Sequence, residues 1–151
     1  MINRQTLIRT TLAAGLIASL AACGQMRPQN KIDIYQATLS NAQEVPPAAG
    51  GGGGQAEVQL NKNNNTIKWK VTYSGLTGAV TAAHIHGPAP VGQNAGVVVP
   101  FTGNMNAQPM EGEATITPEQ VTQLVNGQWY VNIHTARFPG GEIRGQLSER
   151  R

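Results

Sequence analysis

The chain consists largely of short runs in which apolar and polar side chains alternate, separated by turns rich in glycine, proline and asparagine. In the clearest run, residues 67–73, isoleucine, tryptophan, valine and tyrosine alternate with two lysines and a threonine. A period of two places the apolar side chains on one face of a β-strand. About eight such runs, with a turn roughly every ten residues, predict an all-β fold, a Greek-key sandwich or barrel of about eight antiparallel strands.

Three segments depart from this alternation. Thr117, followed by a proline, has the pattern of a helix start, and Gly127 that of a position beyond a helix end, which predicts one short helix over about residues 118–126. The apolar run 97–99 predicts a strand buried on both faces. The five consecutive glycines at 50–54 predict a flexible loop, because no helix with a Lys-Ser or Lys-Thr follows to make it a phosphate-binding loop.

The first 22 residues have the features of a lipoprotein signal peptide. Arg4 and Arg9 precede an apolar run, residues 11–22, that is too short to span a bilayer. The sequence Leu-Ala-Ala-Cys at 20–23 resembles the bacterial lipobox, in which the cysteine is acylated and becomes the new N-terminus. Cys23, the only cysteine in the chain, is therefore the predicted lipidation site.

With this signal peptide, the sequence predicts three parts of the chain: the signal peptide at 1–22, a lipid-anchored tether at 23–31 and a single domain at 32–148. Because Cys23 is the predicted lipidation site, we expect the protein to be attached to a membrane of the bacterial cell envelope. Gly24 carries no acidic retention signal, which favours the outer membrane, facing the periplasm.

The charge balance argues against nucleic acid as a partner. The chain carries a net charge of +3, but two of its eleven basic residues, Arg4 and Arg9, lie in the leader. Nine basic residues then remain against eight acidic ones, so the charge without the leader is +1. Basic and aromatic residues do not cluster as they do in proteins that follow a phosphate backbone.

All three histidines fall in two strand-like segments. His84 and His86 are two residues apart and therefore project from the same face of a strand. His134 ends another strand-like run, and if the two strands are neighbours the three imidazoles can converge on one metal ion. The alternative interpretation is that the histidines only form hydrogen bonds within the fold, as single strand histidines commonly do.

The last predicted hairpin carries the polar residues that would surround such an ion. Tyr130 and Asn132 share a face with His134, and Glu142 and Arg144 lie on the corresponding face of the next strand, where pairing could bring Arg144 near His134. Tyr130, Asn132 and Glu142 are candidates to hold an imidazole in one tautomer. Alternatively, these residues are ordinary polar side chains of an exposed hairpin, and Arg144 pairs with an acidic residue on a solvated strand.

Four motifs resemble the CHRD domain, the module first recognised in chordin, over about residues 32–148. In chain order they are Glu-Val-Pro-Pro at 44–47, Ala-His-Ile-His-Gly-Pro-Ala at 83–89, Tyr-Val-Asn-Ile-His-Thr at 130–135 and Pro-Gly-Gly-Glu-Ile-Arg-Gly-Gln-Leu at 139–147. In animals the module belongs to a secreted antagonist of growth factors. The resemblance implies the fold but no particular chemistry for a bacterial member.

The histidine pattern also resembles the copper site of copper-zinc superoxide dismutases. These are Greek-key β proteins whose copper is held by a His-x-His pair and a histidine near the C-terminus, with an arginine at the substrate channel. The resemblance implies that His84, His86 and His134 are copper ligands and that Arg144 has the catalytic arginine's role. The chain has no fourth histidine, no second metal cluster and no cysteine pair, so the resemblance is to a copper-only site.

Three neutral imidazoles suit copper or zinc, and the Irving–Williams order places copper first. Four functions remain open. A copper enzyme of the superoxide dismutase type would use superoxide as substrate, with Arg144 attracting the anion. A copper-storing or copper-delivering lipoprotein would bind without turnover, and zinc with a bound water could catalyse hydrolysis. The domain could also be a non-catalytic binding or structural module of the envelope, and the sequence names no protein partner.

Overall fold

The computed structural model describes residues 32–150. The predicted signal peptide at 1–22 and tether at 23–31, including the lipidation site Cys23, lie outside these residues. Within 32–150, no helix is both long enough and apolar enough to cross a membrane.

The described residues form an all-β fold, an antiparallel and nearly closed eight-stranded barrel or sandwich with a single short helix, which confirms the predicted fold class. The strands follow the order β5-β4-β7-β8-β1-β2-β3-β6, and a two-residue strand, β9, pairs with β1. The elements are β1 (Ile32–Ser40), β2 (Gly53–Asn61), β3 (Thr66–Ser74), β4 (Val80–His86), β5 (Val97–Pro100), β6 (Met110–Thr115), α1 (Pro118–Val125), β7 (Tyr130–Thr135), β8 (Ile143–Gln146) and β9 (Ser148–Glu149).

The alternation predicted from the sequence decides which side chains form the core. In β3, Ile67, Trp69 and Val71 are buried while the lysines between them are exposed. Trp69 stacks on Phe101 with ring centroids 4.5 Å apart, which packs the residue after β5 against β3 within the core. Each fully buried large apolar side chain contributes roughly 1.5–3 kcal/mol, so this interior is the main source of stability.

The helix begins where its start signal predicted. The Thr117 hydroxyl accepts a hydrogen bond from the Gln120 backbone N–H, and the Gln120 side chain accepts one from the Thr117 N–H, which forms a capping box. Leu124 is the fully buried residue of α1, and Gly127 beyond the helix has a φ of 68°. The helix ends at Val125, one residue earlier than predicted.

The prediction that residues 97–99 form a strand buried on both faces was wrong. Val97 is 50% exposed, and in β5 only Val99 is buried. The reason is topological, because β5 lies at one end of the sheet and pairs with β4 alone. A run of valines does not reveal whether a strand lies at the centre or at the edge of a sheet.

The glycine run is only partly a loop. Gly53 and Gly54 form the first two residues of β2 and pair with Ser74 and Tyr73 of β3. A Cβ on Gly54 would lie 2.3 Å from the carbonyl oxygen of Thr72, so the strands could not approach this closely with a larger residue. Close packing of the backbones, rather than flexibility, accounts for glycine at this end of the run.

Candidate metal centre

A layer of polar side chains lies on the face of β4, β7 and β8 that points away from the core. This polar layer consists of His84, His86, Tyr130, Asn132, His134, Arg144 and Gln146. All six residues of β7 are buried, although only alternate ones face the core. Loops therefore cover the outer face as well, and the polar layer lies beneath them.

Strand register brings the three histidines together. β4 pairs antiparallel with β7 so that His84 is opposite Asn132, His86 opposite Tyr130 and His134 opposite Ala82. His84 Nδ1 is 3.1 Å from His134 Nε2, and one ligand atom of each of the three imidazoles lies within 4.8 Å of the others. The structure thus brings together the predicted triad from two distant parts of the chain.

A loop covers β4 and fixes the His86 ring. Gly87 donates a backbone hydrogen bond to the carbonyl of Gly96 at 3.1 Å, which closes the intervening residues into a compact loop. This closure places the Ala95 carbonyl oxygen 3.1 Å from His86 Nδ1. Since a carbonyl can only accept, His86 carries its proton on Nδ1, and Nε2 is left with a free lone pair.

The turn after β7 does the same for the His134 ring. Phe138 donates to the Thr135 carbonyl at 3.1 Å, and Gly141 donates to the Phe138 carbonyl at the same distance, so the chain folds back over the end of the strand. His134 Nδ1 lies 3.0 Å from the Pro139 carbonyl oxygen. His134 therefore also carries its proton on Nδ1, and its Nε2 accepts a hydrogen bond from His84 Nδ1–H.

The three imidazoles are in the form that binds metal ions. Burial, together with the neighbouring His134 and His86, lowers the pKa of His84 to about 4. Burial also lowers the pKa of His86 and of His134, although the Ala95 and Pro139 carbonyls raise them in part. All three rings are thus neutral at pH 7, and metal binding requires no proton to be displaced from an imidazolium.

The arrangement fits a single transition-metal ion. Metal–nitrogen bonds of about 2.0–2.1 Å place two ligands of a tetrahedral or square centre roughly 3 Å apart, which agrees with the 3.1 Å between His84 and His134. The widest separation, up to 4.8 Å, exceeds the roughly 4.2 Å that two such bonds can span, so the rings must close by some tenths of an ångström. His86 Nε2 is buried without a hydrogen-bond partner among the described residues. An unpaired buried polar atom costs about 1–3 kcal/mol, and this cost favours a ligand at that nitrogen.

A sequence model of the CHRD domain matches residues 35–147, most of the chain. The chain belongs to the CHRD domain family. No significant match is found among curated proteins or among solved structures. All three histidines and the loops that cover them lie within the matched CHRD residues.

Within this CHRD domain, Tyr130 and Arg144 stack in a column behind His86. The Tyr130 ring is nearly parallel to the His86 ring, with centroids 5.0 Å apart, and the Arg144 guanidinium carbon lies 3.4 Å from the centroid of the Tyr130 ring. Arg144 is 2% exposed and donates to Asn94 Oδ1 at 2.9 Å and to the Gln93 carbonyl at 2.6 Å. The register pairs Arg144 with Asn132, which lies between Tyr130 and His134 on that face of β7, and the guanidinium stacks on Tyr130.

Tyr130 also holds the loop that orients His86. Its hydroxyl accepts a hydrogen bond from the Ala95 N–H at 3.0 Å and lies 3.4 Å from the Ala95 carbonyl oxygen. Both Tyr130 and His86 therefore contact Ala95, while Arg144 holds the two residues before it. The column and the loop together fix the position of the His86 ring.

Asn132 lies beside the triad but connects it to a residue that the sequence analysis gave no role. Asn132 is the cross-strand partner of His84, and its Nδ2 donates to Glu44 Oε2 at 3.4 Å. Glu44 is buried in the segment after β1. Its motif, Glu-Val-Pro-Pro, was visible in the sequence, but nothing local indicated that it would pack over β7.

Glu142 has other partners. One of its carboxylate oxygens accepts from the Thr77 backbone at 2.8 Å, and the other accepts from the Thr77 hydroxyl at 2.9 Å and from Thr135 at 2.6 Å. None of its recorded hydrogen bonds within residues 32–150 goes to a histidine. The carbonyls of Ala95 and Pro139 hold the imidazole tautomers instead, and sequence reasoning had no signal for backbone groups of loops.

Proposed function

We propose that this CHRD protein binds one copper ion through His84, His86 and His134 on the exported, lipid-anchored side of a bacterial membrane. The observation that carries the proposal is the preformed triad: two rings held by carbonyls, with the Nε2 of His86 buried and unpaired. A site whose ligands are oriented before binding loses little side-chain entropy when the ion arrives.

Copper is preferred over zinc on the chemistry of the donors. The triad offers three imidazole nitrogens, and the cluster of described ligand residues contains no carboxylate or thiolate. Such a set binds Cu(II) more tightly than Zn²⁺ by the Irving–Williams order. Hydrolysis at zinc would also require a general base beside the ion, and the cluster of described ligand residues contains no carboxylate.

The proposed activity is the dismutation of superoxide. Bound copper would supply one-electron exchange between two superoxide anions, and three protein ligands leave a coordination position open. His84 is the partly exposed member of the triad, so the approach to the site is on its side. Arg144 has donors beyond its two recorded hydrogen bonds, and its positive charge beneath Tyr130 favours an anion nearby.

Copper storage or delivery without turnover is the second candidate. The observation that favours it is burial, since His86 is 9% exposed and His134 8% exposed. Both functions need the same ligands and differ in whether a substrate reaches the ion.

Copper loading of the purified protein tests the proposal. We expect one copper per chain, a Cu(II) electron paramagnetic resonance spectrum with splitting from imidazole nitrogens, and superoxide removal well above that of the triple-histidine alanine variant mixed with equal copper. Copper binding without faster removal would leave storage or delivery as the function. A wild-type protein that stays free of copper after incubation would eliminate both.

The membrane anchor is tested by fractionating cells that express the full chain. We expect the wild-type protein in the membrane fraction and Cys23→Ser, which cannot be acylated at that position, in the soluble fraction. A Cys23→Ser variant that stays with the membrane would contradict lipid anchoring at this residue.

A further inference from the structure

Glu44 is a buried carboxyl group that the copper site does not use as a ligand. It is 5% exposed, its Oε2 accepts one long hydrogen bond from Asn132, and its Oε1 has no partner among the described residues. Asn132 Oδ1 is likewise buried without a partner. Buried polar atoms are normally paired, so two unpaired oxygens at one contact call for an explanation.

The carboxyl lies one side chain away from the triad. Asn132, which donates to Glu44, is opposite His84 in the β4–β7 pairing and two residues from His134 along β7. Residues opposite each other or two apart on one face of a sheet are near neighbours. Glu44 is therefore next to the histidines without contacting them.

Glu44, although buried, also lines two surface grooves. Glu44 lines a groove of about 310 Å³ together with Arg137 and Pro139, and a second groove of about 230 Å³ together with Arg144 and Gln146. Water in either groove can exchange protons with the carboxyl. Glu44 thus borders both grooves and the polar layer, and two polar-layer residues, Arg144 and Gln146, line the second groove.

Dismutation requires protons at the site. One superoxide loses an electron and becomes O₂, while a second superoxide gains that electron and takes up two protons to become hydrogen peroxide. The neutral histidines of the triad would be occupied as ligands, and their Nδ1 protons on His86 and His134 are already donated to carbonyls. A separate group must carry protons inward.

We propose that Glu44 is this proton carrier, giving its carboxyl proton towards the anion that is being reduced beside the triad and regaining a proton from water in the grooves. The inference rests on the proposed function. Glu44 acts from beside Asn132 and is not a ligand, so its loss should alter proton delivery and leave copper binding intact.

The protonation of Glu44 suits this role. Burial raises the pKa of Glu44 to about 7, and Arg144 and the hydrogen bonds from Asn132 and the Val45 backbone lower it only in part. The charged or titratable groups around it are Arg144 on β8, Arg137 in the turn after β7, and the neutral histidines of β4 and β7. A carboxyl with a pKa near the working pH both gives and regains a proton readily.

The test compares the full-length wild-type protein with Glu44→Gln, which keeps the shape and the Asn132 contact but cannot carry a proton. Glu119→Gln, an exposed glutamate of α1, is the matched control. We expect equal copper content and equal Cu(II) spectra in all three. In the wild type and the control, superoxide removal should fall as the pH rises through about 7, whereas Glu44→Gln should be at least about tenfold slower at pH 6 and nearly flat with pH.

Two readouts without turnover separate this proposal from the proposed function. An infrared band of a protonated carboxyl should be present in the wild type at pH 6, disappear with rising pH and be absent from Glu44→Gln. The second readout is the free energy of unfolding as a function of pH. Because the pKa of Glu44 is raised in the folded protein, the carboxyl of the unfolded chain loses its proton at a lower pH. The stability of the wild type relative to Glu44→Gln is therefore highest at low pH and declines through pH 7.

An active wild type whose pH profile is unchanged in Glu44→Gln would overturn the proton-carrier role. The absence of the carboxyl band near neutral pH would overturn it as well, whether or not the protein turns over superoxide. A wild type that binds copper without activity would contradict the dismutase function and the proton delivery that depends on it, even if the band showed a carboxyl protonated near neutral pH.

Discussion

Replacing any one histidine of the triad by alanine is expected to weaken copper binding by more than about 100-fold, the largest effect that we expect from a single substitution at the site. Loss of a residue that merely orients a ligand costs about 10–100-fold in metal affinity, and loss of the ligand itself must exceed this. His86→Ala removes the buried Nε2 that has no hydrogen-bond partner in the described part of the chain, and His134→Ala removes the nitrogen 3.1 Å from His84. Competition titration against a chelator of known affinity measures the change.

Stability provides an independent check of the same prediction. Because the ion binds the folded chain, free copper at 100 times its dissociation constant should raise the free energy of unfolding by about 2.7 kcal/mol in the wild type. The triple-histidine variant should gain nothing under the same conditions. The chain contains only these three histidines, so any gain that persists in the triple variant would place copper elsewhere and refute the triad as the site.

The convergence of the three histidines could be predicted from the sequence because it depended mainly on the spacing of residues within short segments. A spacing of two on one strand and a third histidine on another strand-like run needed only the two-residue period and one correct strand pairing. The same period identified the core of β3, with Ile67, Trp69 and Val71 buried. The start of helix α1 could be predicted for the same reason, since its cap and first turn lie within four consecutive residues.

Features that depend on long-range register or on loop path were not predicted. The carbonyls that hold His86 and His134 belong to Ala95 and Pro139, which reach the rings only because two loops fold back over the sheet. Any residue type offers a backbone carbonyl, so no side-chain pattern indicates these contacts. Glu44 reaches Asn132 across 88 positions of the chain, and its role depends on a segment that packs over β7 after β1 has ended.

The position of β5 and that of Arg144 have the same explanation. The valines of β5 are those of a central strand, and only the strand order reveals an edge. The turn between β7 and β8 sets the register that places Arg144 opposite Asn132 and beneath Tyr130. A shift in that register would have exchanged its neighbours, and turn length alone did not determine it.

Arg144→Ala is the second substitution from which we expect a large effect, a loss of about 3 kcal/mol in the free energy of unfolding together with a 10–100-fold loss in copper affinity. The desolvated cation–π contact with Tyr130 would be lost, and so would the hydrogen bonds by which Arg144 holds the Asn94 side chain and the Gln93 carbonyl. The loop carrying Ala95 would then hold His86 less firmly. Urea unfolding and the chelator titration measure the two losses.

The control is Arg150→Ala, because Arg150 forms an exposed ion pair with Glu57, and such pairs contribute less than about 1 kcal/mol.

The Arg144→Lys variant separates two roles of the arginine. Lysine keeps the positive charge but lacks the planar guanidinium that stacks on an aromatic ring and donates several hydrogen bonds. If Arg144 positions His86, the lysine variant should resemble alanine in stability and copper affinity. If Arg144 instead guides the anion, the lysine variant should keep the wild-type rate of superoxide removal and its decline with salt, because steering depends on charge. The buried stack on Tyr130 favours positioning as the larger contribution, and an Arg144→Lys protein with wild-type stability and copper affinity would contradict that conclusion.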